Sequence, residues 1–348
     1  VALKPFMDWR HEKEWKGKMS WSIAMYGTPR RLALLVKDLV EKQEDLIQEV
    51  VGPPARAAFT PDGKPTPAAT GFAAAQGGKV DDLKVRTTPK GEYVVFTRKQ
   101  AGQAAEAALP EILLGILKGL SFPKSMTWEP SGFRFIRPIR SLGALFGTKA
   151  LKLSVAGVKS GRDTAGLFPT DRRRLSLPTA GRYVELLRIR HVLVDPAVRR
   201  EQVDKLVNQA ARRVGAVRPD GGLVDEVAAM VEYPSAVLGG FDPSHLHLPE
   251  EILVTCLRHH QKFFAVQDGR GRLVAHFVGV KNGISEHLET VREGYERVLA
   301  ARLADAAFYW TQDGKLPLAQ QAQKLSAVVF QEGLGTLADK AVRVDHLA

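Results

Sequence analysis

The stretch DPAVRREQVDKLVNQAARRVG, Asp195 to Gly215, places one element before any other can be placed. Asp195 can cap a helix with its carboxylate, Pro196 suits the first helical position, and Gly215 can end the helix. Val203, Leu206, Val207, Ala210 and Val214 then share one face, an apolar stripe that needs a partner to bury it. The pattern that follows supplies partners. Leu223 to Val231 reads as a second helix. A further helix is expected near Pro249–Lys262, and strands near Phe263–Val266 and Leu273–Val280.

Upstream, Arg31 to Lys37 reads as a strand with Leu32, Leu34 and Val36 on one face, and Gly91 to Arg98 as another. Gly52 to Gly71, dense in Pro and Gly, is expected to be a long exposed loop. Ala104 to Leu120 reads as a helix interrupted near Pro110. From about Val291 the pattern is helical to VDHLA, which reads as an unfinished helix and hence as a fragment of a longer chain. The expected class is α+β and multidomain, with mixed sheets, helices and a helical C-terminal part. At 348 residues the chain is long enough for two or three domains.

Composition excludes several alternatives. With 45% hydrophobic and 25% charged residues the chain is unlike a disordered one. No apolar run approaches the roughly 18 residues of a membrane span. The first residues, VALKPFMDWRHEKEWKGK, lack the apolar core of a secretory signal. The one cysteine, Cys256, excludes an internal disulfide and fits a reducing cytoplasm, so the expected location is cytoplasmic.

The charge is unevenly placed. Eleven Lys and Arg against three Asp and Glu lie between Ser121 and Arg174, a net +8 of the chain's +12. Clustered positive charge is the footprint of a polyanion partner, or else a solubilising face. Within the cluster, FRFIRPIR (Phe133–Arg140) carries Arg134, Arg137 and Arg140 three residues apart, with Phe133 and Phe135 interleaved. Pro138 excludes a helix. In an extended chain these arginines stand roughly 10 Å apart, a reach that suits phosphates along a nucleic-acid backbone. Lys124 and Trp128 precede them, and Arg172, Arg173 and Arg174 follow. The other reading is a charged edge strand with solvated arginines.

Six of the nine histidines lie between His245 and His287. At about 100° per residue, Ile252, Leu253, Cys256 and Leu257 form an apolar stripe with His260 in its middle, which predicts a buried histidine. His259 falls at its edge, and Arg258 and Lys262 point away. Adjacent histidines on a helix cannot share one ion, no HExxH or CxxC is present, and a site built on His245 and His247 is the weaker reading. No phosphate-binding glycine loop and no GxSxG occur. The expectation is a binding subunit with no catalytic residue and no metal or cofactor of its own.

Seven stretches, in order, resemble the β subunit of bacterial heterotetrameric glycyl-tRNA synthetase. They are YGTPRRLALLV (Tyr26–Val36), FPKSMTW (Phe122–Trp128), RFIRPIRSL (Arg134–Leu142), MVEYPSAVLGGF (Met230–Phe241), LPEEILVTCLRHHQKFFAV (Leu248–Val266), ERVLAARLADAAFYWTQD (Glu296–Asp313) and KLSAVVFQEGLGTLADKAVRV (Lys324–Val344). The resemblance implies a non-catalytic subunit that positions tRNA(Gly) for an α subunit, where glycine, ATP and Mg are expected to react. Rival readings are a scaffold that only docks α, and a hydrolytic editing-like module using His259 or Gln261. The implied organisation is an N-terminal α+β region over 1–190 holding the basic segment 121–174. A helical hairpin with a B3/B4-like α+β module covers 191–290, and the start of a helical HD-like region covers 291–348. The candidate tRNA-contacting residues are Arg30, Arg31, Lys124, Arg134, Arg137, Arg140, Arg172, Arg173, Arg174, Arg258 and Lys262. The expected partners are tRNA(Gly) and the α subunit, with no membrane. The family's EIGTEELP-type segment is missing from the first 25 residues, AGLFP lacks the histidine of a GHRF-like stretch, and the His and Asp of an HD site are absent.

Overall fold

A computed structural model describes residues 23–43, 45–89, 91–171 and 173–348. It is mixed α+β, 40% helix and 27% strand, which bears out the expected class. Contacts divide it into two units interleaved in sequence. One is built mainly from residues 35–164 and 176–181, the other from 25–34, 165–175 and 182–348.

The described residues begin with a hairpin of β1 (Ile23–Thr28) and β2 (Arg31–Val36). Unit 1 then forms an antiparallel sheet of β3 (Leu46–Pro54), β4 (Leu83–Thr88) and β5 (Gly91–Gln100). The β5 strand is central, and its Val94, Val95 and Phe96 are buried. Val50, Phe96 and Leu83 stand in one row across the three strands.

The stretch Gly52–Gly71 is not the exposed loop expected. It completes β3 and forms helix α1 (Ala55–Ala58) and the start of α2 (Pro67–Ala75), with Ala58 and Ala69 fully buried. Pro67 takes the first helical position, where its missing N–H costs nothing. The Thr66 hydroxyl donates to the carbonyls of Ala57 and Ala58 and ties the two helices together. Gly52 is required for packing, because a Cβ there would sit 2.5 Å from the Phe72 ring.

Helix α3 (Ala105–Gly119) runs unbroken through Pro110, against expectation. One lost backbone bond is outweighed by its buried face of Ala105, Ala108, Leu109, Ile112 and Ile116. Short strands follow: β6 (Leu142–Gly143), β7 (Leu145–Phe146), β8 (Lys149–Ala150), β9 (Ser154–Val155), β10 (Val158–Gly161), β11 (Asp163–Ala165) and β12 (Arg174–Ser176).

Unit 2 centres on a four-stranded antiparallel sheet. Its strands are β13 (Ala216–Val217), β14 (Pro234–Gly240), β15 (Phe264–Gln267) and β16 (Leu273–Asn282), in the order β13-β15-β16-β14. Short helix α4 (Tyr183–Ile189) precedes α5 (Pro196–Ala211), which starts as expected, with the Asp195 carboxylate accepting from the Ala197 and Val198 amides, but ends at Ala211, short of the expected Gly215. On one face of the sheet α5 and α6 (Gly221–Met230) bury Val203, Val207, Leu223 and Val227 against Phe264, Val266 and Val278. On the other face α7 (Glu250–Val254), the turn that continues it and the long α8 (Leu288–Asp313) bury Leu253, Leu257, Leu299 and Leu303 against Phe263, Ala265 and Phe277. The alternation of Phe263–Val266 between two layers is the period of two made visible.

After α7 the helix widens into a π-turn, Thr255–Gln261. This corrects the expectation for His260. With i→i+5 bonding each residue advances less than 100°, so the last turn rotates out of phase with the apolar stripe. Cys256 and Leu257 remain buried, while His260 is carried to the surface beside His259. Beyond α8 come α9 (Leu318–Gln323), a hairpin of β17 (Val329–Gln331) and β18 (Gly335–Thr336), and α10 (Leu337–Asp345), capped by Thr336 and Asp339. Among the described residues no helix is long and apolar enough to cross a membrane.

Candidate nucleic-acid interface

The segment from Ser121 to Arg140 forms an extended arm in unit 1. Three prolines, Pro123, Pro130 and Pro138, keep it out of a helix. Its two limbs are bridged where the Met126 amide donates to the Phe135 carbonyl at 2.8 Å and the Phe135 amide donates back at 3.1 Å. The turn between them closes at Gly132, whose φ of +73° suits glycine. Glu129 is folded onto that turn, and hydrogen bonds from the Ser131 hydroxyl and amide hold its carboxyl below the usual range.

The aromatic rings pack on one another. Phe122 meets Phe135 edge to face at 5.0 Å, Trp128 meets Phe133 at 6.3 Å, and Phe133 stacks near Phe135 at 6.1 Å. They are half-buried and serve as the arm's own small core. The cations point away from it. Lys124, Arg134, Arg137 and Arg140 are exposed, and among the described residues none has a carboxylate within ion-pair distance. The Arg134 Nε donates to the Ser125 hydroxyl at 3.2 Å. Leaving four cations unpaired on one arm is unfavourable by mutual repulsion and suits an anionic ligand.

Two further lysines belong to the same unit. Along Leu151–Val155 the odd residues are buried, and Lys152 stands exposed between Leu151 and Leu153; Lys159 is exposed on β10. The alternation in LKLSV was a readable signal for Lys152. Lys149, by contrast, is paired with Glu106.

The candidates in unit 2 are disposed differently. Arg30 is exposed, and its guanidinium lies 4.4 Å from the Phe168 ring centroid. Arg31 is folded inward. It pairs with the fully buried Glu232 at 2.8 Å and donates to the carbonyls of Ala165 and Gly166 at 3.0 and 2.7 Å. Arg173 reaches Asp171 at 3.3 Å, and Arg174 is exposed on β12. Arg172 lies outside the described residues. Arg258 pairs with Asp220, the cap of α6, and its side-chain hydrogen bond holds the Asp220 carboxyl below the usual carboxylate range. Lys262, left-handed at φ +58°, pairs with Glu226 at 2.7 Å. The structure therefore leaves Lys124 and the three arginines of FRFIRPIR exposed on one arm, without an ion pair among the described residues, and commits Arg31, Arg258 and Lys262 to carboxylates.

Among the described residues no group of three or more His, Cys, Asp or Glu is arranged to hold a metal. His259 and His260 are exposed and His245 is half-buried. Burial pushes the Cys256 thiol up, away from the reactive thiolate.

The family model described as glycyl-tRNA synthetase beta subunit matches residues 10–348, upstream of Tyr26 where the readable motifs begin. The glycine--tRNA ligase beta subunit of Moorella thermoacetica is 45% identical over 330 residues, covering 94% of this chain and 47% of that protein. That of Desulforudis audaxviator is 48% identical over 327 residues, covering 94% and 48%. That of Bacillus subtilis is 42% identical over 328 residues, with the same shares. The chain spans about half the length of the curated relatives it matches.

Proposed function

Because the chain belongs to the family of glycyl-tRNA synthetase beta subunits, we propose that its arm, Phe122–Arg140, binds the phosphate backbone of tRNA(Gly) and positions it for aminoacylation at an α subunit. The observation that carries this reading is the set of four exposed, unpaired cations on an arm whose aromatics are occupied with one another. Guanidinium groups match phosphate oxygens in pairs. With the rings packed inward, the contact is to the backbone more than to base faces, a positioning contact. In this reading the α subunit holds glycine, ATP and Mg and performs the chemistry, and this chain lowers the cost of orienting the tRNA.

The test is binding of a tRNA(Gly) transcript across a salt titration. Each lost phosphate contact reduces the slope of log affinity against log salt by about 0.7 to 0.9. Arg137→Ala with Arg140→Ala is expected to weaken binding and flatten the slope by about one to two units. Unchanged affinity and slope in the folded double variant would remove the arm from the interface. A second reading, a scaffold that docks a protein partner, draws on the exposed Phe308, Tyr309, Trp310 and Leu318 near the end of the chain. It predicts no salt-dependent RNA affinity at all.

A further inference from the structure

Arg30 and Arg31 are adjacent, yet only Arg31 is consumed by the fold. Arg31 anchors one end of the loop at 165–171 through the Ala165 and Gly166 carbonyls. Arg190 anchors the other, its Nη2 donating to the Asp171 carboxylate at 2.6 Å. Between the anchors Leu167 is buried, and its amide donates to the Arg190 carbonyl at 3.1 Å. The next residue, Phe168, is carried outward and left 40% exposed, and the Arg30 guanidinium lies over its ring. Asp171, the loop's carboxylate, is engaged by Arg190 and Arg173. Among the described residues no carboxylate lies within ion-pair distance of Arg30.

A large ring held part-exposed on a loop pinned at both ends is unfavourable by itself. The face of the ring carries the Arg30 guanidinium. We propose that Arg30, ordered by Phe168, is a second RNA-phosphate contact, located in unit 2 and independent of the arm; this rests on the RNA-binding reading above. A free arginine loses side-chain freedom when it grips a phosphate. A guanidinium already seated on a ring has given up part of that freedom, and its N–H fork still matches two phosphate oxygens. The loop's own backbone bonds fix where the fork sits, so the contact has a defined place in unit 2.

The experiment uses the full chain and a fluorescently labelled tRNA(Gly) transcript, titrated over salt, with melting temperature as the folding control. Arg30→Ala is expected to weaken binding about 5-fold and to lower the salt slope by about 0.7 to 0.9. Arg30→Gln, which keeps most of the side chain, should do the same. Phe168→Leu retains the charge and is expected to weaken binding about 3-fold with the slope unchanged, since only ordering is lost. Excess ATP as competitor should leave these differences in place, which separates an RNA backbone from a free nucleotide. Unchanged affinity and slope in both Arg30 variants overturn the proposal, even if the arm double variant is impaired. An impaired Arg30→Ala beside a silent arm double variant keeps this site and discards the arm. A wild-type chain without measurable RNA affinity discards both.

Discussion

In the arm of unit 1, Arg134, Arg137 and Arg140 stand in solvent with no carboxylate beside them among the described residues, whereas in unit 2 Arg31 and Arg199 are folded into the protein. Arg199, on α5 one turn before Val203, is 2% exposed and donates to the carbonyls of Leu193, Ala228 and Gly27 at 2.5, 2.6 and 2.7 Å. Glu232, fully buried, accepts from Arg31 and from the Thr28 hydroxyl. The same side chain thus serves as fixed internal scaffolding in one region and as available charge in the other. What separates them is the company each keeps. A buried guanidinium must have its five N–H groups satisfied, while a solvated one leaves them for a ligand.

The strongest way to break this contrast is to remove the buried acid. Glu232→Ala leaves Arg31 without its carboxylate partner and removes a favourable charge from around Arg199, and breaking a buried pair costs about 3 to 5 kcal/mol. Chemical denaturation should show a loss of that size, with the RNA salt slope of the folded fraction unaltered. A variant as stable as wild type would mean that the carbonyls alone hold both arginines.

The arm double variant, Arg137→Ala with Arg140→Ala, is the mirror case. Its melting curve should shift by less than about 0.5 kcal/mol, as for exposed positions, while RNA binding weakens. A loss of stability with RNA affinity intact would make the arm scaffolding too. Restoring lysine at both positions should recover most of the slope and less of the affinity, because a lysine cannot pair bidentately.

Acid sharpens the comparison within unit 2. The Arg190 guanidinium holds the Asp171 carboxyl well below the usual carboxylate range. A depressed carboxyl stabilises the fold above its unfolded value, about 4, and that contribution is lost as the pH falls through the folded value. The melting-temperature gap between wild type and Asp171→Asn should therefore be level from pH 7 to about 5 and narrow below about 4. A gap that widens on acidification would show that Arg190 is held by something else.

The smallest effect concerns His260. Exposed by the π-turn, it should tolerate alanine within about 0.5 kcal/mol. A core-sized loss on urea denaturation would restore the histidine to the apolar stripe.

Much of this was legible in order along the chain. The helix from Pro196 to Ala211 is announced by Asp195 and Pro196 because caps act within a turn. The strand at Phe264–Gln267 and the exposed cations of FRFIRPIR follow from alternation and from Pro138. The helices in the proline-rich stretch were not legible, since Ala58 and Ala69 are weak apolar signals that matter only once Val94 covers them. Pro110 reads as a break because its cost is local, while the face that outweighs it is set by packing. The π-turn leaves no mark in the periodicity of TCLRHHQ.

The sequence by itself determined where apolar periods begin and end, where positive charge accumulates and which family the motifs resemble, because those are properties of neighbouring residues. Only the tertiary structure decided which cations are available. Arg30 and Arg31 are adjacent and chemically identical, and what parts them is Glu232, 201 positions from Arg31 along the chain. A counter-charge that distant meets its arginine only when the chain folds, and burial is a sum over many such distant neighbours.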